Sequence, residues 1–348
     1  MNLKKAAMIN AGSKFFVIAV QLLITAILGR LLSPSDYGTV AVIVVFINFF
    51  VVISDVGLIS AVIQQKDLSR EEMSHVFSVT AYLGIVLAIL FCAVSQILVF
   101  VYENPVYKWM GLLLSISVFF SSTNAVPEAI LMREKRFLLA AIRNITVCMI
   151  AGGTAIVLAL QGFHYYALIG QSVASAILTF GFNAMVTRVR FYPAPDFRPV
   201  RRLMRFSVFQ SLFDAVNFFS RNMDNLLAGK YFGKERLGLY NKAYSLTLYP
   251  VNNLAGAISP VLHPILSDYQ AESEKLYRKI MPVIRIMGIV GAFIAPFCFF
   301  EGRELILIVI GNQWTESIEC FRVLSLSLYA QMLNQCVSSG FQSLGKTK

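Results

Sequence analysis

Charged residues are scarce in this sequence, and their scarcity excludes an ordinary soluble domain. Only 14% of the 348 residues are Asp, Glu, Lys or Arg, whereas soluble domains carry about 25%. Hydrophobic residues make up 57% of the chain, and the mean hydropathy is +0.67. The sequence also lacks the alternating ten-residue strands of an outer-membrane barrel. We therefore predict an all-α polytopic membrane protein.

Signatures of metal binding and of catalysis are missing as well. No CxxC motif, Cys/His cluster or Walker A motif occurs, and no Ser/His/Asp or paired-carboxylate arrangement stands out. We therefore expect no enzyme, no metal site and no cofactor. The cysteines stand singly in or beside apolar segments, and we interpret them as small buried hydrophobic residues. They are Cys92, Cys148, Cys298, Cys320 and Cys336.

Basic residues outnumber acidic ones, 30 to 19, which gives a net charge of +11. If the N-terminus is cytoplasmic, 21 basic residues, including Arg143, fall on the cytoplasmic side of ten predicted spans and 8 fall opposite. The positive-inside rule explains this bias, so no nucleic-acid partner is expected. The predicted spans cover residues 11–32, 38–62, 76–101, 108–131, 138–160, 165–186, 206–229, 238–262, 283–306 and 319–342.

The segment 187–205 divides the predicted spans into two groups. It combines prolines with six arginines, which indicates a stiff, basic linker at the membrane surface. We predict an N-terminal six-helix lobe at 1–186 and a partial C-terminal lobe of four helices at 206–348.

A short internal repeat supports two similarly built halves. Gly29 and Gly38 in the first half correspond to Gly229 and Gly238 in the second, at an offset of 200 in both cases. Many transporters contain such repeats. Because the first half uses about 200 residues for six spans and the second provides only four, we expect that at least two C-terminal spans are missing.

The seventh predicted span, 206–229, carries charged side chains inside an apolar stretch. A charge at the centre of a spanning helix costs at least ~2.5 kcal/mol, so it suggests a function. We predict that Arg221 binds phosphate or acidic-sugar oxygens, because a guanidinium can do so bidentately. A structural ion pair that fixes helix packing is the alternative. The predicted cargo-binding residues of this span are Asp214, Asn217, Arg221, Asp224 and Asn225, which share one helix face.

The first lobe offers weaker candidates for cargo binding. Lys14 lies in the first span, and Asn48 and Asp55 lie seven residues apart in the second. Lys14 is alternatively a snorkelling side chain, and Asp55 is alternatively a turn residue. A milder polar stripe on the sixth span is explained equally well by hydrogen bonds between helices. The stripe consists of Gln171, Ser172, Ser175, Thr179 and Asn183.

Four stretches of sequence carry a resemblance to a known family. They are LGRLLSPSDYG at 28–38, SDVGL at 54–58, RNMDNLLAGK at 221–230 and LGLYNKAY at 237–244. In these stretches the chain resembles the polysaccharide exporters, the Wzx-type flippases of the MATE-like MOP superfamily. The similarity is to the colanic and teichuronic acid exporter branch.

The resemblance implies a fold of two lobes around a central cavity and transport by alternating access. The implied cargo is an undecaprenyl-pyrophosphate-linked glycan, flipped across the cytoplasmic (inner) membrane with the N-terminus in the cytoplasm. The implied partners are the lipid bilayer, a coupling ion, H⁺ or Na⁺, and polysaccharide assembly proteins. Two alternatives stay open: a MATE-type cation-coupled drug antiporter, and a non-transporting scaffold of a polysaccharide assembly complex.

Overall fold

The computed structural model describes residues 3–55, 59, 62, 65, 68–201, 218, 220, 222–255 and 273–343. Within these ranges the chain is helical and forms no strand. The α-helices are α1 Leu3–Leu31, α2 Pro34–Asp55, α3 Arg70–Tyr102, α4 Val106–Arg133, α5 Phe137–Leu160, α6 Tyr166–Thr187, α7 Gly233–Pro250, α8 Ser273–Phe300, α9 Gly302–Val309, α10 Ser317–Ser325 and α11 Leu328–Ser343. A further helical segment covers 222–231, a π-helical turn Val251–Ala255 follows α7, and a 3₁₀ turn spans Asn312–Trp314.

Seven of the described helices are long and apolar enough to cross a membrane, which fits the predicted all-α class. The predicted number of ten spans is not confirmed. Span 206–229 is largely outside the described residues, 238–262 is described only to residue 255, and 319–342 is divided between α10 and α11. The seven candidate spans are Gly12–Leu31, Pro34–Ser54, Arg70–Tyr102, Val106–Arg133, Phe137–Leu160, Tyr166–Thr187 and Ile280–Phe300.

The chain divides into two compact units, Met1–Leu237 and Gly238–Lys348. The predicted lobe boundaries at 186 and 206 stay a prediction. In the first unit, the core packs α2, α3 and α4 together around buried side chains such as Phe91, Met110 and Leu114. In the second unit, α8 packs against α11, where Gly291 lies close to Tyr329.

The start of α2 explains one of the four family-like stretches. Ser33 precedes the helix, Pro34 is its first residue, and Asp36 accepts a hydrogen bond from the Ser33 backbone N–H at 3.0 Å. In return the Asp36 N–H donates to Ser33 Oγ at 3.2 Å. This reciprocal pair is a capping box, and proline is favoured at the first helical position. The SPSD sequence therefore begins a helix.

Helices α3 and α4 approach each other closely at small residues. A Cβ atom added to Gly111 would lie 2.1 Å from the Cβ of Ser95 on the opposite helix. One added to Gly84 would lie 3.2 Å from the Phe119 carbonyl oxygen. Small residues are common where membrane helices approach closely, because they let the backbones come near each other.

The basic connection after α6 is held against α3 by its backbone. The backbone N–H of Tyr192 donates to Ser78 Oγ at 2.8 Å, and the Tyr82 hydroxyl donates to the Pro193 carbonyl at 2.8 Å. His75 stacks on Tyr192 with ring centroids 4.5 Å apart. Residues 188–200, most of the predicted linker, are therefore fixed to the first unit.

Candidate functional site

A cavity of about 540 Å³ lies inside the first unit between α2, α4 and α6. None of the fifteen described residues that line it is charged. Nine of them carry hydroxyl or amide groups and come from all three helices. These are Asn48 and Ser54 of α2, Ser117, Ser121 and Asn124 of α4, and Gln171, Ser172, Ser175 and Thr179 of α6.

Helical spacing explains why each helix contributes several polar groups to this wall. Residues three or four apart lie on the same face of a helix. On α6, Gln171, Ser175 and Thr179 follow this spacing, and on α4 Ser117, Ser121 and Asn124 do so as well. Polar groups facing hydrocarbon are costly, so a polar face on helices this apolar indicates a hydrated or ligand-filled space.

One buried hydroxyl group in the wall has no hydrogen-bond partner among the described residues. Ser117 is only 3% exposed, and its Oγ makes no hydrogen bond. Other wall hydroxyls bond within their own helix, as Ser54 does to the Val51 carbonyl at 2.7 Å. A buried polar group without a partner costs about 1–3 kcal/mol. The unpartnered Ser117 hydroxyl therefore destabilises this part of the wall.

A buried ion pair lies beside the cavity and joins α4, α5 and α6. Arg143 of α5, 6% exposed, donates through Nη1 and Nη2 to both carboxylate oxygens of Glu128 on α4. Nη1 also donates to Asn183 Oδ1 on α6 at 2.9 Å, and Nε and Nη2 donate to Asn144 Oδ1 at 3.2 and 2.9 Å. These bonds match the five N–H groups of a guanidinium, so the charge is fully engaged.

The ion pair reaches the cavity wall through two amides. Asn183 Nδ2 donates to Glu128 Oε2 and to Asn124 Oδ1, both at 2.8 Å. Because a guanidinium has only donors, Asn183 must turn its oxygen toward Arg143 and its NH₂ group toward Asn124. Asn124 must then accept with its oxygen. The network thereby fixes the orientation of a side chain that lines the cavity.

The structure places the residues predicted from the sequence in different surroundings. Asn48 lies in the cavity wall, whereas the exposed Lys14 on α1 does not. On the segment 222–231, Asp224 is exposed and Asn225 is buried, and neither lines this cavity. Asp55 ends α2, but its side chain lies outside what the structure describes, as do Asp214, Asn217 and Arg221 entirely. The cargo-binding role of all eight residues stays a prediction.

The sequence reasoning missed the polar groups of α4 and the ion pair. The positive-inside count assigns Arg143 to the cytoplasmic side, whereas the structure buries it against Glu128. A signal was available, because Glu128 and Arg143 both fall inside predicted spans, where charges call for a partner. The run Ser121–Asn124 was a second signal, since four polar residues interrupt an apolar span there.

Comparisons with known proteins agree with this architecture. A family model described as "Polysaccharide biosynthesis protein" matches residues 27–319. The chain is similar to the lipopolysaccharide biosynthesis protein WzxC of Escherichia coli strain K12, with 23% identity over 90% of this chain and 65% of that protein. It is also similar to the succinoglycan biosynthesis transport protein ExoT of Rhizobium meliloti strain 1021, with 23% identity over 90% and 64%. The chain thus spans about 65% of the length of these curated relatives.

Among solved structures, the chain is similar to the lipid II flippase MurJ in its inward closed conformation. The TM-score is 0.75 with 14% identity, over 98% of this chain and 77% of that one. At this identity the likeness shows a shared fold. Together with its seven apolar helices, it makes the chain a multi-pass membrane protein with a fold like that of this flippase structure.

Proposed function

Because the chain belongs to the polysaccharide biosynthesis protein family, we propose that it moves a lipid-linked oligosaccharide or polysaccharide repeat unit across the cytoplasmic membrane by alternating access. The name of the Rhizobium meliloti relative, a transport protein, supports movement as the task. So does the fold shared with a lipid II flippase.

The observation that carries the proposal is the polar cavity among membrane-spanning helices. A sugar head group is covered with hydroxyls, and it cannot cross hydrocarbon unless polar groups or water replace its hydration shell. The cavity supplies hydroxyl and amide groups from three helices in a volume of about 540 Å³. That volume lies in the usual range for small-molecule sites, about 300–1,000 Å³.

Flipping makes and breaks no covalent bond, so in this proposal the chain is a transporter and not an enzyme. We assign the pyrophosphate of an undecaprenyl-linked glycan to the predicted polar face of the seventh span. There Arg221 binds the phosphate oxygens, and Asp214 and Asp224 hold its guanidinium in position beside the amides of Asn217 and Asn225. The N-terminus is cytoplasmic in this proposal, and H⁺ or Na⁺ supplies the driving force.

A MATE-type drug antiporter fits the cavity less well. An antiporter for cationic drugs needs an acidic or strongly aromatic binding surface. The fifteen described lining residues include no carboxylate and no aromatic ring. This composition favours an uncharged polar ligand.

The proposal is tested by reconstitution of the full chain into liposomes with a fluorescent polyprenyl-diphosphate oligosaccharide. Dithionite bleaches only outer-leaflet lipid in protein-free vesicles, and the protein should make the inner-leaflet lipid accessible as well. A variant that fills the cavity, Ser175→Trp, should abolish this gain. The matched control is Ile177→Trp on the same helix, because Ile177 is 40% exposed and does not line the cavity.

Equal bleaching with and without the wild-type protein would refute transport by this chain. Equal bleaching by the two tryptophan variants would instead place the transport path away from the cavity.

A further inference from the structure

We propose that the cavity of the first unit binds the uncharged, hydroxyl-rich sugar portion of the cargo and not its diphosphate. In this proposal Asn124 is a specificity-determining donor, and the Arg143–Glu128 pair positions it through Asn183. The inference rests on the proposed function and deepens it, because it names the chemical class that this cavity accepts.

The composition of the wall distinguishes sugars from phosphates. A sugar hydroxyl both donates and accepts, and so do the hydroxyls and amides of Ser, Thr, Asn and Gln. A diphosphate is a concentrated anion that needs cationic donors or helix N-termini. The described wall contains no Lys or Arg, and none of its residues lies in the first turn of α2, α4 or α6.

The wall also provides apolar contacts of the kind that a sugar needs. The C–H groups of a sugar ring are apolar, while its hydroxyls lie around the rim. Six apolar residues line the cavity beside the nine polar ones, so the wall can contact both parts of such a ring. They are Val44, Ile47, Val51, Ile59, Ala125 and Ala176.

Asn124 has a fixed donor direction, which makes it a selective contact. Its oxygen is used by Asn183 Nδ2 at 2.8 Å, so the amide presents N–H groups for further bonding. Asn183 holds this orientation because its own oxygen faces Arg143. A cavity amide that cannot flip selects for an acceptor on the ligand, such as a hydroxyl or an acetamido oxygen.

The Arg143 charge does not act as a cation toward the cavity. All of its donor groups are engaged by Glu128, Asn183 and Asn144. Arg143 is absent from the cavity wall. The ion pair is therefore a positioning device for the amides.

The test is protection of a single cysteine from maleimide. Ser175→Cys is introduced into the full chain after the five native cysteines have been replaced, and Gln161→Cys serves as the control. Gln161 is exposed after the end of α5 and away from the cavity. The probes are methyl glycosides of neutral hexoses and N-acetylhexosamines, and inorganic pyrophosphate, each at its highest soluble concentration.

We expect at least one glycoside to slow labelling of the Ser175→Cys thiol to less than half its rate, while pyrophosphate does not slow it. The Gln161→Cys thiol should respond to neither probe. Adding Asn124→Asp should remove the glycoside protection, because a carboxylate keeps the shape but loses the donors. Adding the pair Glu128→Gln and Arg143→Gln should weaken the protection while the unprotected labelling rate stays the same.

Protection by pyrophosphate, or by no glycoside, overturns the sugar assignment. Protection that survives Asn124→Asp overturns the role of that amide, and protection that survives the double replacement overturns the positioning role of the ion pair. The liposome assay separates these results from failure of the proposed function. A glycoside-protected protein that does not flip lipid contradicts transport only, and a protein that flips lipid without glycoside protection contradicts the sugar assignment only.

Discussion

Replacement of Arg143 provides a quantitative test of the buried network. Arg143→Met keeps much of the side-chain length but removes the charge and all five hydrogen bonds. The Glu128 side chain, 18% exposed, then keeps only the bond from Asn183 Nδ2 at 2.8 Å. Removing one partner of a buried ion pair costs about 3–5 kcal/mol, and we expect a loss of that size in the free energy of unfolding.

The double variant separates a buried pair from a solvated one. Glu128→Gln alone leaves the guanidinium without its carboxylate, and we expect a loss of about 3 kcal/mol. With Arg143→Met and Glu128→Gln together, no unpaired charge remains, so the loss should be within about 1 kcal/mol of zero. The two single losses are therefore far from additive, and the coupling energy is the measured quantity.

Unfolding of the purified protein in mixed micelles by SDS, followed by circular dichroism, measures these differences. Asn144→Ala is the matched control, because Asn144 is exposed and accepts only from Nε and Nη2 of Arg143, so its loss leaves the bonds to Glu128 in place. It should cost about 1 kcal/mol. Single losses below about 1 kcal/mol that simply add in the double variant would show that the pair is solvated, and the reasoning would then be wrong.

Three further predictions concern the packing and capping of the first unit. Gly111→Leu should lower the free energy of unfolding by about 1–3 kcal/mol through overpacking against Ser95. Gly153→Leu is the control and should change it little, because nothing lies within 4 Å of the added Cβ. Thermal unfolding in detergent measures both variants. Asp36→Ala should cost about 1 kcal/mol by removing the capping box of α2, a loss that unfolding in SDS detects and that Asp36→Glu should restore in part. The double variant Ser78→Ala, Tyr82→Phe should speed tryptic cleavage within 188–200, because two hydrogen bonds that hold the segment are lost. Thr154→Ala is the control, and equal cleavage rates of the two proteins would contradict the prediction.

The helices of the first unit could be predicted well from hydropathy, and their contacts could not. The span predicted at 138–160 matches α5, Phe137–Leu160, within one residue, because Arg136 before the mainly apolar run and Gln161 after it mark both ends. The second predicted span, 38–62, begins at residue 38, whereas α2 begins at Pro34. The capping residues before the apolar run begin the helix earlier than hydropathy indicates.

The polar stripe of α6 shows where sequence patterns stop being informative. Helical spacing brought Gln171, Ser175, Thr179 and Asn183 together on one face, and that grouping agrees with the structure. The pattern could not show that Asn183 bonds Glu128 and Arg143 while its neighbours line a cavity. That division depends on which helices lie beside α6, and no spacing within α6 encodes it.

The last predicted span shows a different limit. Residues 319–342 are apolar enough to suggest one helix, yet α10 ends at Ser325 and α11 starts at Leu328. Hydropathy averages over a window, so it does not register a two-residue break between helices.

The capping box at Ser33 and Asp36 has a consequence for genetic screens. The two residues lie in the family-like stretch 28–38, and their hydrogen bonds stabilise the start of α2. A search for loss of export should therefore recover substitutions there. Those alleles would reduce the amount of protein in the membrane, whereas alleles at Asn124 or Ser175 would leave it intact. Immunoblotting of each allele would separate defects in assembly from defects in handling the glycan.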